Sequence, residues 1–226
     1  MGSCCAPNSN LLGEQFVRDI LADQSLKIRY YTYIELLNEV VSKRVEQEIP
    51  KEHIKKFLIQ EFYDEKKTES NDIYIDSIFN YILEQLNDKN NMYTVIIYFY
   101  PFIKHDNEKV SDNFFNFIRF ISQSHKQEVK KEDIQNILFK YISFCTRGIT
   151  QAIQNKLLPG DDMNNSFKSL LDISFSEERI NNFIDKLICI LTENSNDDIV
   201  SSKNFGEMFQ KYDISTIEKV RDFLLA

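Results

Sequence analysis

The chain is predicted to be all-α, on three observations. Glycine and proline number five and four in 226 residues, too few for the closely spaced turns of a sandwich or barrel. Apolar residues recur at intervals of three and four along most of the chain, the repeat of helices that bury one face. Hydrophobic residues make up 42% and aromatic residues 13%, enough apolar surface to drive a core rather than stay solvated. A chain of this size builds either one elongated helical domain or two lobes of roughly 100 residues each.

Residues 1–10 are a polar leader. Residues 11–22 place Leu12, Phe16, Val17, Ile20 and Leu21 at helical spacing and predict the first helix, which ends near Asp23. Residues 27–33 read as a short extended stretch. Helices are predicted over 33–45 and 51–63; Pro50 breaks the first and sits in the first turn of the second, where its missing N–H is harmless. The polar segment 64–72 is a loop, followed by an alternating piece, Ile73-Tyr74-Ile75, and a helix over 76–86 with Asp76 as its N-cap. Residues 92–104 form a helix made aromatic by Tyr93, Tyr98, Phe99, Tyr100 and Phe102. The helix that follows Asp112 carries Phe114, Phe115, Phe117, Ile118, Phe120 and Ile121 around most of its circumference and is expected either to sit in the core, the favoured reading, or to be buried by a partner.

Residues 122–129 connect to a long helix over 131–158, which the turn Pro159-Gly160-Asp161-Asp162 stops. A short helix over 166–171 leads to Ser176, an N-cap with Glu177 and Glu178 behind it. The next helix buries Ile180, Phe183, Ile184, Leu187, Ile188 and Leu191 on one face. Phe205, Met208, Phe209 and Tyr212 make a further stripe. The last helix, 215–225, has an apolar edge of Ile217, Val220, Phe223 and Leu224 that either caps the lobe before it or docks elsewhere.

The formal charge of −8 opposes a sequence-independent grip on nucleic acid, which needs lysine and arginine to neutralise phosphates. The lysines between 51 and 67 and between 126 and 131 alternate with Glu52, Glu61, Asp64, Glu65, Glu128 and Glu132, as solvated faces do. The amino terminus lacks an apolar secretory segment, and no run reaches the roughly 18 apolar residues of a membrane span; the expectation is a soluble, cytoplasmic protein. Cys145 and Cys189 read as buried thiols in a reducing compartment. His53, His105 and His125 each lie among polar residues, no serine or cysteine carries a nucleophile signature, and the glycines never cluster into a phosphate loop. No pair of carboxylates is singled out as acid and base. The chain is expected not to be an enzyme.

Residues 179–212 read as helix, acidic and amide-rich loop, helix. With Glu193 as loop position one, Ser195 and Asp197 fall at three and five, Asp198 at six, Val200 at the apolar eighth position, Ser201 at nine and Asn204 at twelve. In this order and spacing the chain resembles the EF-hand family, with degenerate loops. A working calcium loop takes its sharp turn at a glycine in position six and a two-oxygen clamp from a glutamate in position twelve, where this chain has Asp198 and Asn204. The expectation is helix–loop–helix pairing with at most a weak or vestigial calcium loop of Glu193, Ser195, Asp197 and Asn204, and no other cofactor. The resemblance implies two EF-hand-like lobes, 11–90 and 91–226, with the turn at 161–165 pairing with the last loop. In the first lobe, the loops after residues 22 and 63 offer too few oxygens for a hard cation.

Proteins similar to this, with decayed EF-hands and little catalytic apparatus, occur as accessory subunits of cytoskeletal assemblies, including the doublet microtubules of cilia. The resemblance therefore implies a structural or adaptor protein whose partners are tubulin or other axonemal proteins. Two readings stand beside it. Gly2 with Cys4 and Cys5 resembles a signal for dual acylation, in which myristate and palmitate together would make a durable anchor. On that reading the chain is a calcium sensor at the inner face of a membrane; otherwise the leader is merely polar. The other is a plain helical scaffold, because helix, polar loop, helix is common in bundles.

Overall fold

The computed structural model describes residues 9–22, 28–29, 72–84, 92–104, 109–124, 128–158, 163–193 and 198–226. The helices expected over 33–45 and 51–63, residues 1–8 of the leader and all three histidines lie outside these residues, while Ser9 and Asn10, expected in the leader, begin the first helix. Helix dominates what is described, with two small strand pairs, so the all-α expectation holds. No helix among the described residues is long and apolar enough to cross a membrane.

The chain forms two units, each built from two stretches: 1–104 with 147–174, and 105–146 with 175–226. This interleaving differs from consecutive lobes over 11–90 and 91–226. Its cause is the apolar face of 147–174, which buries Ile149, Ala152, Ile153, Phe167 and Leu170 against the amino-terminal helices.

In the first unit, α1 (Ser9–Leu21), α2 (Asp72–Glu84), α3 (Met92–Phe99), α6 (Ile149–Gln154) and α7 (Met163–Ser169) share a core. Gly13 lets α1 approach α7 closely: its backbone N–H donates to Ser166 Oγ at 2.9 Å, and a Cβ there would sit 3.0 Å from that oxygen. Phe16 meets Tyr74 and Phe167 edge to face, and the buried Ser77 hydroxyl donates to the Ala152 carbonyl at 2.6 Å. Residues 73–75 are helical rather than extended, and Asp76 is not an N-cap. Ile75 opens the stripe Ile75, Ile78, Phe79, Ile82, Leu83, and burying that stripe outweighs the local alternation. Pro101 lies in a 3-10 turn, Tyr100–Phe102, which ends α3 and makes β2 (Ile103–Lys104) extended instead of helical. β2 pairs in parallel with β1 (Ile28–Arg29).

The second unit contains α4 (Val110–Ile121), β3 (Glu128–Lys130), α5 (Lys131–Ser143), α8 (Glu177–Thr192), β4 (Ile199–Ser201), α9 (Ser202–Lys211) and α10 (Ile217–Leu225). α4 packs on α9 and α5 on α8. Phe114 is the hub, with ring centroids 5.0 Å from Tyr141, 5.8 Å from Phe205 and 6.1 Å from Phe209, so of the two expected readings the aromatic stripe of α4 takes the first and packs in the chain's own core. Cys189 is exposed, against expectation. The buried residues of α8 are Ile180, Phe183, Ile184, Leu187, Ile188 and Leu191; residue 189 lies about 100° round the helix from 188 and leaves that face. Cys145 is fully buried, and burial pushes its thiol pKa well above the ordinary value, so it is inert.

The helical run from Lys131 is not uniform. It passes through a π-turn, Phe144–Gly148, before α6, and a second π-turn, Leu170–Ser174, follows α7. These are the places where the chain leaves the second unit and returns to it.

Candidate functional site

The candidate site is the paired ends of two helix–loop–strand–helix segments in the second unit. α4 ends in a left-handed residue, Gln123, with φ of 57°. The Gln123 amide donates to the Phe120 carbonyl at 3.1 Å and the Ser124 amide to the Arg119 carbonyl at 3.0 Å. These are the two bonds of a Schellman closure, which satisfies the last carbonyls of a helix from within the chain. Ser124 Oγ then donates to the Glu128 carbonyl at 2.5 Å, bridging the loop to the start of β3.

β3 and β4 pair antiparallel, with Val129 opposite Val200, Glu128 opposite Ser201 and Lys130 opposite Ile199. Both valines are buried, at 1% and 0% exposure, while Glu128, Lys130 and Ile199 point out. A three-residue ladder has little strength of its own, so the buried valine pair is what sets its register. The Lys131 amide donates to the Asp198 carbonyl at 2.8 Å and extends the link between the two segments. The expected partner of the last loop, the turn at 161–165, is therefore replaced by residues 122–133. The exposed Glu and Lys flanking Val129 conceal a strand too short to show a clear alternation.

Glu193 follows α8 and is exposed. Asn204 is in the first turn of α9, where it and Ser201 cap the helix together: Ser201 Oγ accepts from the Asn204 amide at 3.3 Å, and the Ser201 hydroxyl donates to Asn204 Oδ1. Loop positions nine and twelve are thus joined to each other. Ser195 and Asp197 lie outside the described residues, as do Gly2, Cys4 and Cys5. Among the described residues, no three His, Cys, Asp or Glu side chains gather as a metal site would require.

The last helix adds a second feature. α10 buries Ile217, Val220, Arg221 and Leu224, across α8 and the end of α5. Arg221 is fully buried. It donates to the Cys145 carbonyl at 3.0 Å and the Thr146 carbonyl at 3.1 Å, and its guanidinium carbon lies 4.6 Å from the centroid of the Phe175 ring. Phe223 stacks on Phe183 with centroids 5.8 Å apart, and Tyr141 donates its hydroxyl to the Ile214 carbonyl at 2.8 Å. Sequence reading missed Ser124, Val129 and Arg221. Only Arg221 left a signal, a charge one turn after Ile217 on the apolar edge.

Ahead of α10, Asp213 accepts from the Ser215 amide at 3.0 Å and pairs with Lys219. Burial alone would raise its carboxyl pKa, but these bonds from Lys219 and Ser215 outweigh it and hold the group below the usual range. Compared with known proteins, the chain matches no family model, no curated protein and no solved structure.

Proposed function

We propose that the second unit is an EF-hand-like pair that keeps its shape without calcium, in a protein that serves as a non-catalytic structural or adaptor subunit. The observation that carries this reading is the register of the strand pair. Val200 is the eighth residue of the loop that starts at Glu193, and its partner Val129 is the eighth residue of a loop that starts at Ser122. Two loops paired at the same position are the arrangement the family resemblance implies.

The ligand positions then explain the independence from calcium. In the loop 122–133, positions one and three are Ser122 and Ser124, five and nine are Lys126 and Lys130, and twelve is Asp133. A hard dication requires six to eight oxygens, one of them the carbonyl at position seven, and two lysines oppose it. That carbonyl belongs to Glu128 and accepts from the Ser124 hydroxyl. In the loop 193–204, Asn204 is engaged by Ser201. Positions three and seven of the first loop, and nine and twelve of the second, are thus bonded to one another.

The resemblance to accessory subunits of doublet microtubules directs the proposal to a cytoskeletal assembly, with tubulin or another axonemal protein as partner. One experiment has two arms. Calorimetry with millimolar calcium is expected to show no heat, and the chain is expected to sediment with doublet microtubules equally in calcium and in chelator. Micromolar calcium binding abolished by Asp197→Ala would establish the sensor instead, and failure to sediment in either condition would remove the cytoskeletal assignment.

A further inference from the structure

We propose that two arginines turn the chain's two crossings into a coupling device, through which a change at the last helix reaches residues 147–174 of the first unit. The device stands apart from the loops 122–133 and 193–204.

Both crossings are marked by the same local structure. The chain leaves the second unit after Thr146 and re-enters it at Phe175, the first point inside the π-turn Phe144–Gly148 and the second directly after the π-turn Leu170–Ser174. A π-turn shifts backbone bonding from i+4 to i+5, and such turns recur at functional positions in helices. A carbonyl has two lone pairs, so one that already serves a helix accepts a further donor. In both π-turns that donor is an arginine.

Arg221, fully buried, donates to the Cys145 and Thr146 carbonyls at 3.0 and 3.1 Å, and its guanidinium carbon lies 4.6 Å from the centroid of the Phe175 ring. Cys145 and Thr146 are the last two residues of the stretch 105–146, and Phe175 is the first of 175–226. One guanidinium therefore holds both ends of the second unit at the crossings. Within the first unit, Arg147 opens the stretch 147–174 and donates to the Leu171 carbonyl at 2.9 Å, so it ties the first π-turn to the second.

The two grips share one rigid plane. The Thr146 carbonyl and the Arg147 amide belong to the same planar peptide unit. Fixing that carbonyl with Arg221 fixes the orientation from which Arg147 reaches Leu171, and bonds from a charged donor are the stronger kind. Coupling of this sort is reciprocal: loss of either arginine loosens what the other holds.

The test is amide hydrogen exchange on the full chain. In R221L, the amides of α6 and of residues 170–174 are expected to exchange at least fivefold faster, together with those of α10. In R147M, which keeps the stem and removes the donors, the α10 amides should exchange at least threefold faster. In the double variant the acceleration should fall at least threefold short of the product of the single effects. V200A, which loosens the β3–β4 ladder and touches neither arginine, should leave the α6 amides within twofold of wild type. An R221L chain in which α10 alone speeds up overturns the proposal, and so does an R147M chain in which α10 is unchanged. Single effects that multiply in the double variant overturn it as well. If V200A speeds the α6 amides as much as R221L does, the chain opens as a whole and the arginines couple nothing. Should R221L not fold, R221K takes its place and the same outcomes decide.

Discussion

Replacing Arg221 with leucine separates hydrogen bonding from apolar packing in holding the last helix. The guanidinium is fully buried, donates to two carbonyls at 3.0 and 3.1 Å, and lies 4.6 Å from the Phe175 ring centroid. Each bond from a charged donor contributes about 1.5–3 kcal/mol, and a desolvated cation–ring contact about 2 kcal/mol, so the gross loss is about 5–8 kcal/mol. Against this, a guanidinium pays several kcal/mol of desolvation that leucine avoids, and leucine contributes about 2–3 kcal/mol of apolar burial. The net loss expected is about 1–3 kcal/mol. In a chain of two units one unfolding free energy is not well defined, so the local opening of α10 is the quantity to measure, by amide hydrogen exchange. At about 1.4 kcal/mol per factor of ten, the α10 amides should exchange roughly 5 to 150 times faster. Arg221→Lys, whose single amine cannot span both carbonyls and the ring, should fall between. Exchange in Arg221→Leu that is unchanged or slower would show that apolar packing alone seats the helix and refute this reasoning.

Three further outcomes are expected. Gln123→Gly removes the cost of a left-handed residue with a side chain, about 1 kcal/mol, against a slightly smaller loss of unfolded-state restriction; thermal melting should show a gain of a few tenths of a kcal/mol, and a lower melting temperature would contradict the Schellman geometry. Val200→Ala should lose about 2 kcal/mol from two missing buried carbons and the space they leave, and in a cycle with Val129→Ala the two effects should miss additivity by at least about 0.5 kcal/mol; strict additivity would deny the contact. Asp213, with a folded pKa below its unfolded one, contributes stability that is present above the ordinary carboxylate pKa and fades as pH falls through the folded value. Asp213→Asn should therefore weaken the wild-type chain at neutral pH and converge with it in acid, and a constant difference across that range would place the effect elsewhere.

The helices were legible wherever burial is a local pattern. The face Ile180 to Leu191, the N-cap at Ser176 and the aromatic stripe of α4 needed nothing beyond spacing and side-chain chemistry, because a helix repeats every 3.6 residues whatever it packs against. Legibility stopped where two competing local readings differ only in distant contacts. Residues 73–75 alternate like a strand yet are helical, because Ile75 joins a stripe whose other members lie up to eight residues on. Cys189 sits inside an apolar run and is exposed, because composition does not distinguish one side of a helix from the other. In the loop 193–204, spacing offers Asn204 only as a weak or vestigial ligand, and its bonds with Ser201, three residues away, appear only in the folded chain.

The sequence alone determined the helical class and the order of the carboxy-terminal elements, since both follow from residue type and short-range spacing. Only the tertiary structure decided that residues 128–130 are the strand opposite 199–201, that 147–174 belong with the amino-terminal helices, and that Arg221 is an anchor. Each of these joins groups far apart in the chain, from 46 residues for Phe175 and Arg221 to 153 for Gly13 and Ser166. Such pairings are selected by which apolar faces can be covered together once the chain is compact, and no property of the separate segments specifies that choice.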